Sequence, residues 1–167
     1  MTNERLTLSG ADIAFSSPDG AFRIALEWLD EVHFGPAYFA LWMQRTATVP
    51  SDEFVGPGRS VHYGGRHAFS ADGRFLVLEK WSSLAAPDNT IVLLDLLRGL
   101  EADLLHVASA FLCTADFAEL DGQPVCVLTL DVFDGKYWTQ QCKSQSMPAA
   151  AKWTIPSWWP AGCQSGT

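Results

Sequence analysis

Apolar and polar residues alternate with a period of two along two stretches of this chain that say nearly the same thing. "FSSPDGAFRIALEW" runs from Phe15 to Trp28, and "FSADGRFLVLEKW" runs from Phe69 to Trp81. Aligned on Asp19-Gly20 and Asp72-Gly73, Phe22 falls on Phe75, Ile24 on Val77 and Trp28 on Trp81. Asp-Gly between apolar runs predicts a tight turn, because Gly accepts positive φ and Asp bonds to its own backbone. After each turn, period-two spacing predicts a strand. Phe22, Ile24, Leu26 and Trp28 share one face, and Phe75, Val77 and Trp81 share the equivalent face of the second copy. Leu76 and Leu78 occupy its opposite face, so the second strand is expected to be buried on both sides, away from a sheet edge.

A weaker echo follows Asp121-Gly122 in "QPVCVLTLDVF", and Asp134-Gly135 precedes "KYWTQQ". This predicts an antiparallel hairpin turning at Asp134-Gly135. Further strands are expected at Arg5–Leu8, Ile13–Ser16, Tyr38–Gln44, Ser60–Phe69, Thr90–Leu96 and Ala110–Phe117. Two segments compete with a strand reading. Ala25–Val32 could be a helical turn. Leu93–Leu112 carries leucines at both helical and strand spacing; a strand to about Leu97, a turn at Arg98-Gly99 and a strand over Asp103–Val107 is favoured over a helix.

The fold class expected is mainly β: antiparallel sheets, sandwich-like or resembling an incomplete propeller, with repeated Asp-Gly hairpins. The D-G-x-F phrase resembles β-propeller blade hairpins. A closed propeller needs at least four blades of about 40 residues, and this chain holds about three. Residues 1–143 form one β-rich domain. Residues 144–167 form a Pro- and Trp-containing tail, which Pro148, Pro156 and Pro160 keep from being a long helix. Its tryptophans are expected to pin it across the body.

Composition adds constraints. The 167 residues carry 19 acidic and 11 basic side chains, for a formal charge of -8. Such a chain repels phosphate backbones, which argues against nucleic acid and leaves a basic protein surface as the electrostatic match. No apolar run approaches the roughly 20 residues of a membrane helix. The start, "MTNERLTLSG", lacks the pattern of a signal peptide, so a cytoplasmic location is expected. The four cysteines, Cys113, Cys126, Cys142 and Cys163, show no C-x-x-C spacing. Cys126 is read as a core residue, and a Cys142–Cys163 bridge would need an oxidising compartment.

Candidate chemistry is sparse. His62 and His67 could converge on a metal only if Gly64-Gly65 makes a bulge or turn, and neither Cys nor carboxylate completes a ligand set nearby. His33 and His106 are isolated. No nucleophile elbow or phosphate-binding loop is present, so no enzyme, metal or cofactor is expected. The acidic pairs Asp30-Glu31 and Asp52-Glu53 are read as solvated loops or as a negative patch for a basic partner. Of seven tryptophans, Trp28, Trp42, Trp81 and Trp138 are expected in or near the core. Trp158 and Trp159 either pack the tail or offer anchors to a partner.

"GGRHAFSADGRFLVLEKW", followed after a loop by "NTIVLLDL", resembles the core of certain small immunity proteins of bacterial type VI secretion toxins. Those proteins carry a glycine pair, a Ser-x-Asp-Gly-Arg turn and then paired strands. The resemblance implies a protein that does no chemistry and neutralises a cognate toxin by covering its active site. Without an export signal, it implies a toxin acting in the cytoplasm. Partner contacts are then expected at Asp30, Glu31, Asp52, Glu53, Trp158 and Trp159. The alternative is a carbohydrate- or small-ligand-binding β-sandwich that stacks its ligand on Trp138, Trp158 or Trp159. A subunit role through exposed edge strands is a further possibility.

Overall fold

The computed structural model describes residues 5–7, 11–31, 36–46, 53–83 and 88–159. The chain is mainly β, in two antiparallel sheets. Among the described residues twelve strands follow in order: β1 (Arg5–Thr7), β2 (Ile13–Ser16), β3 (Phe22–Glu31), β4 (Ala37–Arg45), β5 (Glu53–Val55), β6 (His62–Phe69), β7 (Phe75–Ser83), β8 (Asp88–Asp95), β9 (Leu100–Ala108), β10 (Ala110–Leu120), β11 (Gln123–Phe133) and β12 (Trp138–Ser146). The first nine form one sheet ordered β1-β5-β4-β6-β7-β8-β9, with β3 also on β4 and β2 beyond it; the last three form a meander.

The twin phrases are two copies of one hairpin. In the first, Ser17 accepts the Gly20 amide through its carbonyl, and Gly20 has φ of 71°. In the second, Ser70 and Gly73 repeat this, with φ of 73°. Each loop spans four residues, 18–21 and 71–74, around a turn whose left-handed glycine suits the twist of the strands. The side chains repeat too. Ser17 Oγ donates to Asp19 and accepts the Phe22 amide; Ser70 Oγ donates to Asp72 and accepts the Phe75 amide. These hydroxyls, followed by the amides of Ala21 and Arg74, hold the Asp19 and Asp72 carboxyls below the usual range. Even the irregularities match: the ladder skips a residue after Trp28 in β3 and after Trp81 in β7. Ser17→Ala and Ser70→Ala are each expected to cost about 1–2 kcal/mol, read from urea midpoints. A loss at only one site would show that matching geometry does not carry matching energy.

The long sheet folds over so that its concave face encloses the main core. Phe22, Ile24 and Leu26 of β3 meet Phe39 and Leu41 of β4, Tyr63 of β6, Leu76 and Leu78 of β7, and Val92 and Leu94 of β8. On the convex side, Val77, Ile91, Leu93 and Val107 pack against Leu112, Cys126, Leu128 and Leu130 of the meander. A smaller convex cluster joins Ala25, Ala40, Trp42 and Phe54. Thus β7 is buried on both sides and lies between β6 and β8, as its run of apolar residues requires. The layers also stack head to tail. The face of the first copy bearing Phe22 and Ile24 covers the Leu76–Leu78 face of the second, whose Phe75–Val77 face covers the meander.

Several expectations are corrected here. Ala25–Glu31 is strand, with no helical turn. Leu93–Leu112 takes the favoured strand-turn-strand course with shifted bounds: β8 ends at Asp95, a turn over 96–99 follows, and β9 starts at Leu100, three residues before the expected strand. Residues 58–60 form a 3-10 turn ahead of β6. Trp42 and Trp81 are buried, but Trp28 and Trp138 are about half exposed, at 50% and 51%. Trp28 sits at the bulge near the end of β3, and Trp138 opens the outer strand of the meander, which no further strand among the described residues extends. The strand β12 continues to Ser146, past the start of the expected tail. Beyond it, Thr154 exchanges backbone hydrogen bonds with Glu101, and Trp153 and Trp159 pack against the convex and concave clusters respectively.

Candidate functional site

The feature with the most chemistry lies where β6 and β7 meet β10. The strand β10 pairs with β11 along one edge only, so its other edge presents free backbone groups to the convex face of the long sheet. Two side chains of that face satisfy two of them, at the start of β10. Glu79 Oε1 accepts the Leu112 amide at 3.0 Å, and Asn89 Nδ2 donates to the Ala110 carbonyl at 2.9 Å. Asn89 Nδ2 also donates to Glu79 Oε1 at 2.9 Å. Glu79 is 1% exposed. Burial pushes its carboxyl up to about 7, against the opposing pull of the Leu112 amide and of Asn89.

Room for this carboxylate comes from the glycine pair. A Cβ on Gly64 would lie 2.6 Å from Glu79 Oε2, and one on Gly65 would lie 2.9 Å from the Phe39 ring. Between Tyr63 and His67 the β6–β7 register shifts, which is the irregularity that the Gly-Gly sequence allows. The shift does not bring the two histidines together. His67 stacks on Phe15 with ring centroids 3.6 Å apart, while His62 lies edge-on to Tyr38. Among the described residues, no three His, Cys, Asp or Glu side chains are placed to share a metal ion.

An open cleft of about 490 Å³ runs over this junction, lined among others by Phe39, Gly65, Arg66, Glu79, Phe111 and Asp131. Its volume lies within the ~300–1,000 Å³ of small-ligand sites. The Phe111 wall belongs to an aromatic ladder. Trp81 stacks on Phe111 at 5.4 Å, Phe111 on Trp138 at 5.2 Å, and Trp138 meets Phe133 at 5.1 Å. The ladder leads from a buried indole to one half in solvent, with the exposed Tyr137 beside it in sequence.

The structure separates the expected site residues. Asp30 and Glu31 are exposed at the end of β3. Glu31 pairs with Ala37, itself a wall residue of the cleft, so this acidic pair lies on the strand next to that wall without lining the cleft. Glu53 begins β5, which joins β4 through Val55 and Met43. That is five residues, or about 17 Å of strand, from the Tyr38 that pairs with Asp30. Asp52, His33 and Cys163 lie outside the described residues. Trp159 is 8% exposed and its ring closes the concave core over Gly99; Trp158 is partly buried beside it, with centroids 5.3 Å apart. Glu79 carried no weight in the sequence reading, although one signal marked it. It stands where the first copy has Leu26, so a carboxylate interrupts the row Phe75, Val77, Trp81 at a position that ought to be apolar.

No protein-family model matches the chain, and neither a curated protein nor a solved structure matches it significantly. No helix among the described residues is long and apolar enough to cross a membrane.

Proposed function

We propose that this protein is an immunity protein: a binding module that neutralises a cognate bacterial toxin in the cytoplasm by covering its active site. The observation that carries this reading is the cleft itself, lined by the carboxylates of Glu79 and Asp131 and by Phe111 of a half-exposed aromatic ladder, with Asp30-Glu31 on the strand next to its wall. Charge of one sign steers a basic partner, and a few aromatic anchors supply most of the affinity of a standard interface. Exposed acids on the meander and its turns, including Asp116, Glu119, Asp121 and Asp134, extend the negative field. No catalytic step and no cofactor enter this reading.

Co-expression with the product of the adjacent gene tests it. A stable complex that abolishes the partner's toxicity is expected; failure to co-purify and failure to protect would sink it. Trp138→Ala is expected to weaken the complex by about 2 kcal/mol or more while lowering the unfolding midpoint only modestly, because the indole lies half in solvent.

The alternative is a saccharide-binding module, favoured by one observation: the Trp138 indole is exposed and backed by Phe111 beside a cleft. Quenching of tryptophan fluorescence by a saccharide, lost in Trp138→Ala, would favour it over toxin binding.

A further inference from the structure

Glu79 is almost wholly buried, yet only half of its carboxylate is used. Oε1 takes both hydrogen bonds, from Leu112 and Asn89, and no described residue bonds to Oε2. Arg66 lines the same cleft without forming an ion pair with it. A buried carboxylate without a counter-charge is costly when ionised, and an incoming cation relieves that cost, whereas a neutral ligand cannot. Phe39 and Phe111 are neighbouring walls, apolar surface against which an alkyl stem can pack.

We propose that this cleft is a receptor for one lysine or arginine side chain of the partner, with its cationic head on Glu79 and its alkyl stem between Phe39 and Phe111. The proposal rests on the toxin-binding reading and names the contact that would anchor it. It assigns the glycine pair a role as well: Gly64 keeps Oε2 uncovered, since any side chain there would meet it.

Butylammonium serves as the probe, with butanol as its neutral control. The reporter is the Leu112 amide resonance, because that amide touches Glu79. At pH 8 a saturable shift with butylammonium and none with butanol are expected. Binding is expected to weaken at least tenfold at pH 5.5, where Glu79 holds its proton. The remaining titratable or charged groups lining the cleft are Arg66, Cys113 and Asp131. In the wild-type protein, saturating butylammonium is expected to lower the pH midpoint of the Leu112 resonance, a reading that needs no variant. In Glu79→Gln, butylammonium binding is expected to fall at least tenfold.

Equal shifts from butylammonium and butanol, or an unmoved pH midpoint, would overturn the proposal. If the adjacent gene product binds Glu79→Gln as tightly as wild type, the lysine or arginine contact is wrong while toxin binding stands. If butylammonium binds as expected and the adjacent product neither binds nor is neutralised, the cleft is a cation site and the immunity reading fails.

Discussion

Replacing Trp159 by alanine is expected to lower the unfolding free energy by about 3–5 kcal/mol, the range for a large aromatic removed from a packed core. The ring closes the concave cluster from the tail side and rests on Gly99. Gly99 has φ of 67° and its amide bonds to the Asp95 carbonyl, so it ends the turn between β8 and β9 in a left-handed conformation. A Cβ there would overlap the indole of Trp159. Gly99→Ala is therefore expected to combine a backbone cost of about 1–2 kcal/mol with displacement of the tail. The two substitutions share one contact, so their effects will not add. In the Trp159→Ala background, Gly99→Ala should retain only its backbone cost. Chemical denaturation of the four proteins in this cycle measures the difference, and strictly additive losses would show that the tail does not rest on Gly99.

The second large effect is a dependence of stability on pH. The Glu79 carboxyl is raised from an ordinary 4.5 to about 7 by burial. The folded protein therefore holds this proton more tightly than the unfolded chain. The stability this contributes is complete below about pH 4.5 and disappears as pH rises through about 7, a span of roughly 3 kcal/mol. His67 works in the opposite sense, since burial lowers its pKa and favours folding as pH rises through the ordinary histidine range. The comparison with Glu79→Gln isolates the carboxylate. The variant retains an oxygen for the Leu112 amide and loses the charge. Urea midpoints at pH 5 and pH 8 should diverge for the wild type and stay closer together for the variant, which should be the more stable of the two at pH 8. Parallel pH profiles would remove Glu79 as the source.

Most of the fold was legible in the sequence because the information is local. Alternation, Asp-Gly turns and the repeat between Phe15–Trp28 and Phe69–Trp81 suffice to place both hairpins and their faces. The ambiguity of Leu93–Leu112 has a physical origin. The strand β8 buries Ile91 and Leu93 in one cluster and Val92 and Leu94 in the other, so no polar position shows its period. Trp28 and Trp138 were misjudged because exposure at a bulge or an outermost strand depends on which layer covers it, and alternation within a strand does not encode that. The candidate site was less legible still. Nothing near Asp30-Glu31 and Glu53 in the sequence reveals that they attach toward opposite ends of β4. Glu79 was visible only as a flaw in a row, and its significance depends on β10 presenting an unpaired edge 33 positions later.

The order of the layers has a consequence for self-association. The first copy lays its front on the back of the second, so no twofold axis relates the two copies. The outermost ribbon, Trp138–Ser146, is dominated by threonine, glutamine, serine and lysine after its opening indole. Polar and charged side chains along such an outer strand discourage pairing with another copy.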